Sequence, residues 1–510
     1  MQRSVGVFLL LAVSASAKII TVNTTNNVSP APGETNLVQA ISLLQDGDSI
    51  HFNIPGAGPF YLITPPLTPD NGYPLITNNN ITIDGYSQPG SSPNSDPILS
   101  SNNAQIEIVI DSRAGGANEE QIPGFVNESG AFFVVGATNF TVRGISFLGS
   151  GFGYGAPEDP YRYAIALGLG ASGAHVNGCW FGLDPNGHDV YPFRDAIAGF
   201  QGDPGVFIND VTFGVDKDAL DAATARAQFN IMIGEQIPVI IEGNGLRISG
   251  NFFNVFPNGM TDYNATLDQS LEAFIEAGFP CGNFLLGTDS DGNNDSEERN
   301  IFGGITVAND RKAIEFYGSG LACTNGVVAG NYFGVAVDGV TRFTNSITIL
   351  SGFPPTTTFR IGSDLDGVED EIEANLFSDN YPFDYFFPPD FLHAEPVFSG
   401  IAAGSRISFR GNQCIGDNIA PLTWADGNGD YLKKLTNVYS HFVLVTNAIM
   451  PTLDGTSSQG ILRGTCPLGL DPYTNVVVDL YLADQESWTN GQKLQLEELA
   501  YYDPVTAQTE

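Results

Sequence analysis

The sequence predicts an all-β protein: a right-handed parallel β-helix with a helical cap at its start, followed by a small β-sandwich-like module. Three observations lead to this prediction. Short apolar runs recur along most of the 510 residues, Asn and Gly separate these runs, and two motifs alternate along the chain. Short apolar runs bounded by turn residues are typical of strands, and a fixed period indicates a repeat architecture.

The two motifs define a repeat of about 75 residues. The first begins with glycine followed by Asn or Cys, as in GCWFG (178–182), GNFFN (250–254), GNYFG (330–334) and GNQCIG (411–416). The second is acidic, as in FGVDKDALD (213–221), LGTDSDGNND (286–295) and IGSDLDGVED (361–370). A repeat of this length is too long for one turn of a solenoid, so we expect about three coils in each repeat.

Stacking explains why such short strands can be stable. A single strand cannot bury its own apolar face, but coils placed on one another bury a continuous column and pair their backbone amides. The asparagines of the first motif, Asn251, Asn331 and Asn412, are then expected at the same turn of successive repeats. Cys179 takes the matching place in GCWFG, which favours an interior ladder position over a metal site.

The start of the solenoid needs a cap, because an open edge strand invites aggregation. Leu37, Ala40, Ile41 and Leu44 fall on one face of a predicted helix, which serves as this cap, and a strand is predicted at 50–54. A second amphipathic helix is predicted within 262–278.

The chain divides into four predicted parts. Arg3, the apolar run at 5–13 and Ala15-Ser16-Ala17 predict a signal peptide at 1–17, and therefore a secreted or cell-surface protein. The β-helix is assigned to 18–421, a linker to 422–435 and the β-sandwich-like module to 436–510, where a final strand is not evident. No apolar run is long enough to span a bilayer.

The charge balance excludes some partners. With 57 acidic and 20 basic residues, the formal net charge is −37. Nucleic-acid binding needs basic patches, so this composition argues against it and favours attraction of cations. The five cysteines contain no C-x-x-C pair, so zinc-finger and thioredoxin-like sites are excluded. Cys281 and Cys323 are either a disulfide pair or free buried thiols.

Four segments carry a resemblance to a known group. They are TIDGYSQPGSSPN (82–94), CWFGLDPNGHDV (179–190), GTDSDGNNDSEERNIFGG (287–304) and VVAGNYFGVAVDG (327–339). These segments resemble bacterial secreted right-handed parallel β-helix repeat proteins of the pectin-lyase-like superfold. The resemblance covers about 18–421 and implies the architecture and export more than any chemistry. The tail from Leu435 resembles the immunoglobulin-like modules attached to such chains.

The acidic motif predicts calcium sites. In its second and third copies the spacing is D-x-D-G-x-x-D, with the predicted ligands Asp289, Asp291, Asp295, Asp364, Asp366 and Asp370. Calcium is bound by several oxygens, and glycine permits the sharp bend that brings carboxylates together. Glu298 follows three residues after Asp295. The first copy has Ala219 at the glycine position and a shorter spacing, so no site is expected there. The alternative is a solvated acidic turn ordered by Asx hydrogen bonds.

An aromatic segment at 381–398 predicts glycan binding. Tyr381, Phe383 and Tyr385 are the candidate ligand-binding residues, because the apolar face of a sugar ring stacks on exposed aromatic side chains. The alternative is that this segment folds back and buries its aromatic residues against the solenoid.

The functional prediction is a calcium-stabilised β-helix protein that binds a polysaccharide or a cell-surface glycan. The alternative is a polysaccharide lyase or glycoside hydrolase of the same fold. Hydrolases need paired carboxylates and the lyases resemble one another in a basic catalytic residue. The runs typical of galacturonases and pectate lyases are absent, and Arg311-Lys312 is the one adjacent basic pair in the predicted solenoid. No catalytic residue is assigned.

Overall fold

The computed structural model describes most of the chain between Ala17 and Ser378 and short segments after it. The described residues are 17–66, 73–113, 120–122, 125–128, 130–149, 163–199, 206–235, 237–263, 273–278, 280–304, 312–317, 323–343, 348–351, 358–364, 368–378, 398–399, 406–410, 412–415, 424–425, 452–453, 464–465, 481–483 and 496–498. The statements below concern these residues.

Three long parallel sheets dominate the described structure. The first sheet has eleven strands, Ile19–Val22, Ser49–Phe52, Thr82–Asp84, Thr141–Arg143, His175–Asn177, Thr212–Gly214, Arg247–Ser249, Leu285–Gly287, Gly326–Ala329, Thr358–Gly362 and Arg406–Arg410. The second has ten, Tyr61–Ile63, Ile108–Asp111, Ile145–Leu148, Trp180–Phe181, Asn230–Met232, Asn251–Phe253, Ile301–Phe302, Tyr332–Phe333, Leu376–Ser378 and Gln413–Ile415.

The third sheet has eight strands, Gly130–Val135, Tyr163–Gly168, Asp195–Gly199, Ile208–Asn209, Val239–Asn244, Ala273–Gly278, Lys312–Tyr317 and Thr348–Ser351. Helices are few and short in the described chain: Leu37–Ser42, Ala222–Arg226 and Asp370–Glu373 are α-helical, and Gly85–Ser87 and Asp295–Glu297 are 3₁₀-helical. None of these helices is long and apolar enough to cross a membrane.

From Gly130 onward, the chain visits the third, first and second sheets in turn, and we call one such passage a coil. Each strand pairs in parallel with the strand that occupies the same place in the next coil. The prediction of an all-β chain with stacked parallel strands is therefore confirmed, and the strand order is compatible with a parallel β-helix. A predominantly parallel fold also agrees with strands that are apolar on both faces, such as Tyr163–Gly168, in which every residue is buried.

The expectation of three coils in each repeat is wrong, because the structure has two. Phe213 pairs with Ile248, which pairs with Leu286, and Leu286 in turn lies two pairings before Ile361. Two coils therefore separate successive acidic motifs. Each coil is longer than expected because the loops between its strands, including the acidic motif itself, contain many residues.

A ladder of asparagine side chains runs through the interior. In each of five contacts one Asn Nδ2 donates to the next Asn Oδ1, at 2.8–3.0 Å, through Asn230, Asn251, Asn300, Asn331, Asn375 and Asn412. The same amides also donate to backbone carbonyls, as Asn300 does to Ile248. The ladder satisfies the polar groups of a buried turn, and Cys179 N–H donates to its first member at 2.8 Å.

The buried face of the second sheet forms a column of aromatic residues. Phe253, Phe302, Phe333 and Phe377 stack with ring centroids 4.6–5.0 Å apart and interplanar angles of at most 11°. Parallel strands place identical residues directly above one another, so the rings meet in an offset stack. The column continues the apolar core along the stacked coils.

The predicted N-terminal cap helix is confirmed at Leu37–Ser42. Asn36 forms a capping box, because Gln39 N–H donates to its side chain at 2.9 Å and Asn36 N–H donates to Gln39 Oε1 at 3.2 Å. Leu37, Ala40 and Ile41 are buried in the main apolar core.

The second predicted helix, within 262–278, is wrong where the structure describes it. Ala273–Gly278 is a strand of the third sheet, and Ile275 pairs with Val239 on one side and Ile314 on the other. Each coil needs a strand at this place, and that tertiary requirement overrides the local helical pattern.

Several predicted parts fall outside the described residues. They are the signal peptide apart from Ala17, the aromatic residues Tyr381, Phe383 and Tyr385, and most of the linker and C-terminal module. Within 436–510 the structure describes two antiparallel strand pairs, Thr452–Leu453 with Gly464–Thr465 and Tyr481–Ala483 with Leu496–Glu498. The remaining pairs are Glu120–Ile122 with Phe125–Glu128, antiparallel, and Phe398–Ser399 with Trp424–Ala425, parallel.

Candidate cation site in the acidic loops

The acidic motifs form loops that connect the first sheet to the second. We call residues 214–229, 287–299 and 362–374 the first, second and third acidic loops. The second loop begins at Gly287, where φ is +96°, and a Cβ atom there would lie 1.8 Å from the Ala329 carbonyl oxygen of the next coil. Only glycine fits this position, which explains the glycine before each acidic run.

The second acidic loop folds three carboxylates together. Asp289, Asp295 and Glu298 each place an oxygen within 4.8 Å of the others. Thr288 Oγ1 donates to Asp295 at 2.6 Å, and the Asp289 backbone N–H donates to Glu298 Oε2 at 3.1 Å. The loop therefore orients its acidic side chains through its own backbone and hydroxyl groups.

The third acidic loop has the same geometry. Asp364, Asp370 and Glu373 form the equivalent group of three carboxylates within 4.8 Å. Ser363 Oγ donates to Asp370 at 2.5 Å, and the Asp364 backbone N–H donates to Glu373 Oε2 at 3.0 Å. A side-chain cluster that recurs two coils later is a property of the repeat.

Each cluster contains one arginine. Arg247, from the preceding coil, donates to Asp289 at 2.6 Å and to Glu298 at 2.5 Å. Arg360, from the strand that enters the third loop, donates to Glu373 at 2.5 Å and lies 3.7 Å from Asp364. If all are ionised, three carboxylates and one guanidinium leave two negative charges in each cluster, which matches a divalent cation.

The two glutamates differ in protonation. Burial raises the pKa of Glu298 to about 8, although the Arg247 guanidinium opposes the shift. For Glu373, burial also acts to raise the pKa, but the hydroxyl of Ser290 and the guanidinium of Arg360 outweigh it and hold the pKa below 4.5. Near neutral pH Glu298 is therefore largely protonated and Glu373 ionised, so the second cluster must lose a proton before all three of its carboxylates are charged.

The second and third loops contact one another. Ser290 Oγ of the second loop donates to Glu373 of the third at 2.6 Å. A hydrogen bond with Asp295 raises the pKa of Glu369 to about 7, so a carboxyl and a carboxylate face each other across the two loops. Carboxyl groups of the second acidic loop therefore lie directly beside carboxyl groups of the third.

The first acidic loop lacks the cluster. Gln228 takes the place of Glu298, because the Asp216 backbone N–H donates to Gln228 Oε1 at 2.9 Å. His175 Nδ1 lies 2.5 Å from Asp216 Oδ1, and the hydrogen bond between them raises the pKa of His175. Asp221 instead caps the helix Ala222–Arg226. This loop therefore has one carboxylate where the others have three.

The structure places four of the six predicted calcium ligands in the two clusters. Asp289, Asp295, Asp364 and Asp370 lie in the clusters. Asp291 does not: its side chain is exposed and accepts a hydrogen bond from Asn293 N–H at 2.8 Å. Asp366 lies outside the described residues, as do the predicted glycan-binding residues Tyr381, Phe383 and Tyr385.

Sequence reasoning did not assign Glu298, Glu373, Arg247 or Arg360 to the site. A signal for the glutamates was present, since each follows the first aspartate of its loop by nine residues and precedes a ladder asparagine by two. Arg247 carried no comparable signal, because it lies 42 residues before Asp289 and meets it only through strand register. Arg360 lies four residues before Asp364, but the second copy has Leu285 at that place, so the repeat did not single it out.

The donor set fits a hard cation. Calcium takes about six to eight oxygen ligands and accepts carboxylates, carbonyls and water. The carboxylate oxygens of the second cluster already accept hydrogen bonds, but each carries further lone pairs, so these bonds do not prevent coordination.

Comparisons with known proteins return no match that would assign a function. No protein-family model matches the chain, and no curated protein matches it at a significant level of similarity.

Proposed function

We propose that the chain is an exported right-handed parallel β-helix that binds calcium in its second and third acidic loops and binds glycans through its aromatic segment. One observation carries the calcium proposal: three carboxylates at equivalent positions form a cluster in both loops, and each cluster is contacted by one arginine. The excess of acidic residues supports it, since a strongly negative protein attracts cations.

The proposed role of calcium is structural. The ion would offset the repulsion among three carboxylates and pin two stacked loops that each contain more than ten residues. Asp289, Asp295 and Glu298 would hold it in the second loop, and Asp364, Asp370 and Glu373 in the third. A catalytic role is disfavoured, because an active site normally occurs once and this cluster is repeated.

Calorimetry and thermal unfolding with added calcium test the proposal. An ion that binds only the folded state stabilises it by mass action, by about 2.7 kcal/mol at 100 times its Kd. The double variant Asp289→Asn/Asp364→Asn is expected to lose most of the calcium-dependent rise in Tm. Asp216→Asn is the matched control, because it changes the same position of the first loop and is expected to keep that rise.

The proposal fails if chelator leaves the Tm of the wild-type chain unchanged and calorimetry detects no binding of calcium. The comparison must use the calcium-dependent increment, because replacing Asp289 also removes an ion pair with Arg247 and lowers Tm without calcium.

Glycan binding is supported by the aromatic composition of 381–398. A glycan array tests it with the variant Tyr381→Ala/Phe383→Ala/Tyr385→Ala, which is expected to bind less while keeping its Tm. A large fall in Tm would show that these residues belong to the core. Cleavage of an arrayed polysaccharide would favour the lyase or hydrolase alternative.

A further inference from the structure

Cys281 and Cys323 meet in the interior between two adjacent coils. Their side chains are 1% and 0% exposed, and both are free thiols in the structure. The Cys323 thiol donates to the Cys281 carbonyl oxygen at 2.6 Å. Burial, followed by the neighbouring Cys323 thiol, raises the pKa of Cys281.

Strand register places the two cysteines at equivalent positions. Cys281 precedes Leu285 by four residues and Cys323 precedes Val327 by four, and Leu285 pairs with Val327. The turn itself is also in register, because Asn283 N–H donates to the Thr324 carbonyl at 2.7 Å. The two residues are therefore stacked one coil apart.

The spacing of stacked coils suits a disulfide. Neighbouring strands lie roughly 4.7–4.9 Å apart, and the Cα atoms of disulfide-bonded cysteines are usually about 4.4–6.8 Å apart. Two cysteines at one register position of adjacent parallel coils are therefore expected to have Cα atoms within this range.

We propose that Cys281 and Cys323 are a disulfide site that links two successive coils covalently. In this reaction the thiolate of one cysteine attacks a disulfide oxidant such as oxidised glutathione, and the second cysteine then displaces the mixed disulfide. One S–S bond forms in the protein and one breaks in the oxidant. The two electrons and two protons of the thiols leave with two molecules of reduced glutathione.

Burial determines when the site reacts. The folded thiols are shielded, and the raised pKa of Cys281 keeps little of it as thiolate. Oxidation is therefore expected while the coils assemble, before the turn closes. The resulting loop of 42 residues restricts the unfolded chain more than the folded one. This inference does not rest on calcium or glycan binding.

Peptide mapping tests the site on the full chain. Reduced, denatured protein is refolded in a glutathione redox buffer, alkylated in denaturant and digested without reductant. The expected product is a peptide in which Cys281 is linked to Cys323, with Cys179 alkylated, since it lies in another coil. A folded product in which Cys281 and Cys323 are both alkylated would overturn the proposal.

A second measurement uses stability. Reductant is expected to lower the Tm of the oxidised wild-type chain and to leave the Tm of Cys281→Ser/Cys323→Ser unchanged. An equal fall in both chains would show that the linkage, if formed, contributes no stability and would overturn its role as a link between coils. If the variant does not fold, the peptide map of the wild-type chain still decides whether the site exists.

Discussion

Arg247 and Glu298 form a buried ion pair between two coils, with 2.5 Å between Nη2 and Oε1. Their side chains are 9% and 2% exposed, so water solvates neither group. The Arg247 Nε–H also donates to the Val215 carbonyl at 2.9 Å, which fixes the guanidinium in place. The pair therefore belongs to the interior, in contrast to Arg143–Asp84, in which the arginine side chain is 49% exposed.

Above pH 8, where Glu298 is ionised, Arg247→Met is expected to lower the free energy of unfolding by about 3–5 kcal/mol, because it leaves a buried carboxylate without its cation. Arg143→Met is the comparison variant and should cost less, because the Arg143 side chain is 49% exposed and water offsets part of the lost interaction with the buried Asp84. Chemical denaturation measures both. Equal costs for the two variants would contradict the assignment of Arg247 as the buried counter-charge of the second loop.

Asn300→Ala is expected to be strongly destabilising. Asn300 accepts from the backbone and side chain of Asn251 and donates to Ile248 and Asn331, so its removal leaves several buried groups without partners. Each such group costs about 1–3 kcal/mol. Asn258→Ala, at an exposed turn, should cost less in the same denaturation experiment. Similar costs for the two variants would show that the ladder contributes little to stability.

The asparagine ladder was predictable from the sequence only in part. The G-N motif predicts Asn251, Asn331 and Asn412 at one turn of the fold, and the structure places all three in the ladder. The other members, Asn230, Asn300 and Asn375, were not predicted because no glycine precedes them. Each of them lies in the extra coil between two copies of the first motif. The long loops of the repeat hid this coil from a reading of the sequence.

The acidic loops show the same limit. Their glycines and aspartates could be read from local spacing, but Arg247 reaches Asp289 only because its strand pairs with Leu285–Gly287. The predicted helix near Phe274 failed for a related reason, since the residues fit a helical period but the coil requires a strand at this place. The register between distant segments is set by the stacking of the coils, so the sequence of a single segment does not predict it.

Glu235 gives a prediction about pH. Its side chain is fully buried, and neither carboxyl oxygen has a hydrogen-bond partner in the part of the chain that the structure describes. Burial raises the pKa of Glu235 well above 4.5, and the neighbouring Asp195 adds to the shift. The folded state thus holds a proton that the unfolded state releases, so the stability from this group falls as pH rises above 4.5.

Glu235→Gln should remove that dependence. We expect the variant to be more stable than the wild-type chain at pH 8 and the difference to shrink as the pH approaches 4.5. Thermal unfolding across this range measures it, with Glu242→Gln, a carboxylate that is not fully buried, as the control. A difference between Glu235→Gln and wild type that does not change with pH would contradict the burial of a neutral Glu235.

Gly287 and Gly292 lie in one loop but require glycine for different reasons: backbone conformation alone at Gly292, and backbone conformation plus a close contact at Gly287. Both have positive φ, +96° and +87°. A Cβ atom at Gly292 would meet nothing within 4 Å, whereas one at Gly287 would lie 1.8 Å from the Ala329 backbone oxygen. Gly292→Ala therefore adds only backbone strain, which costs about 1–2 kcal/mol. Gly287→Ala adds the same strain and also forces two stacked coils apart.

We expect Gly287→Ala to lose several times more stability than Gly292→Ala, and to do so with a broadened unfolding transition if the coils on either side separate. Urea denaturation followed by circular dichroism measures both the free energy of unfolding and the width of the transition. If the two variants are equally stable, the close approach of the second acidic loop to the next coil is wrong, because strain alone would then account for both.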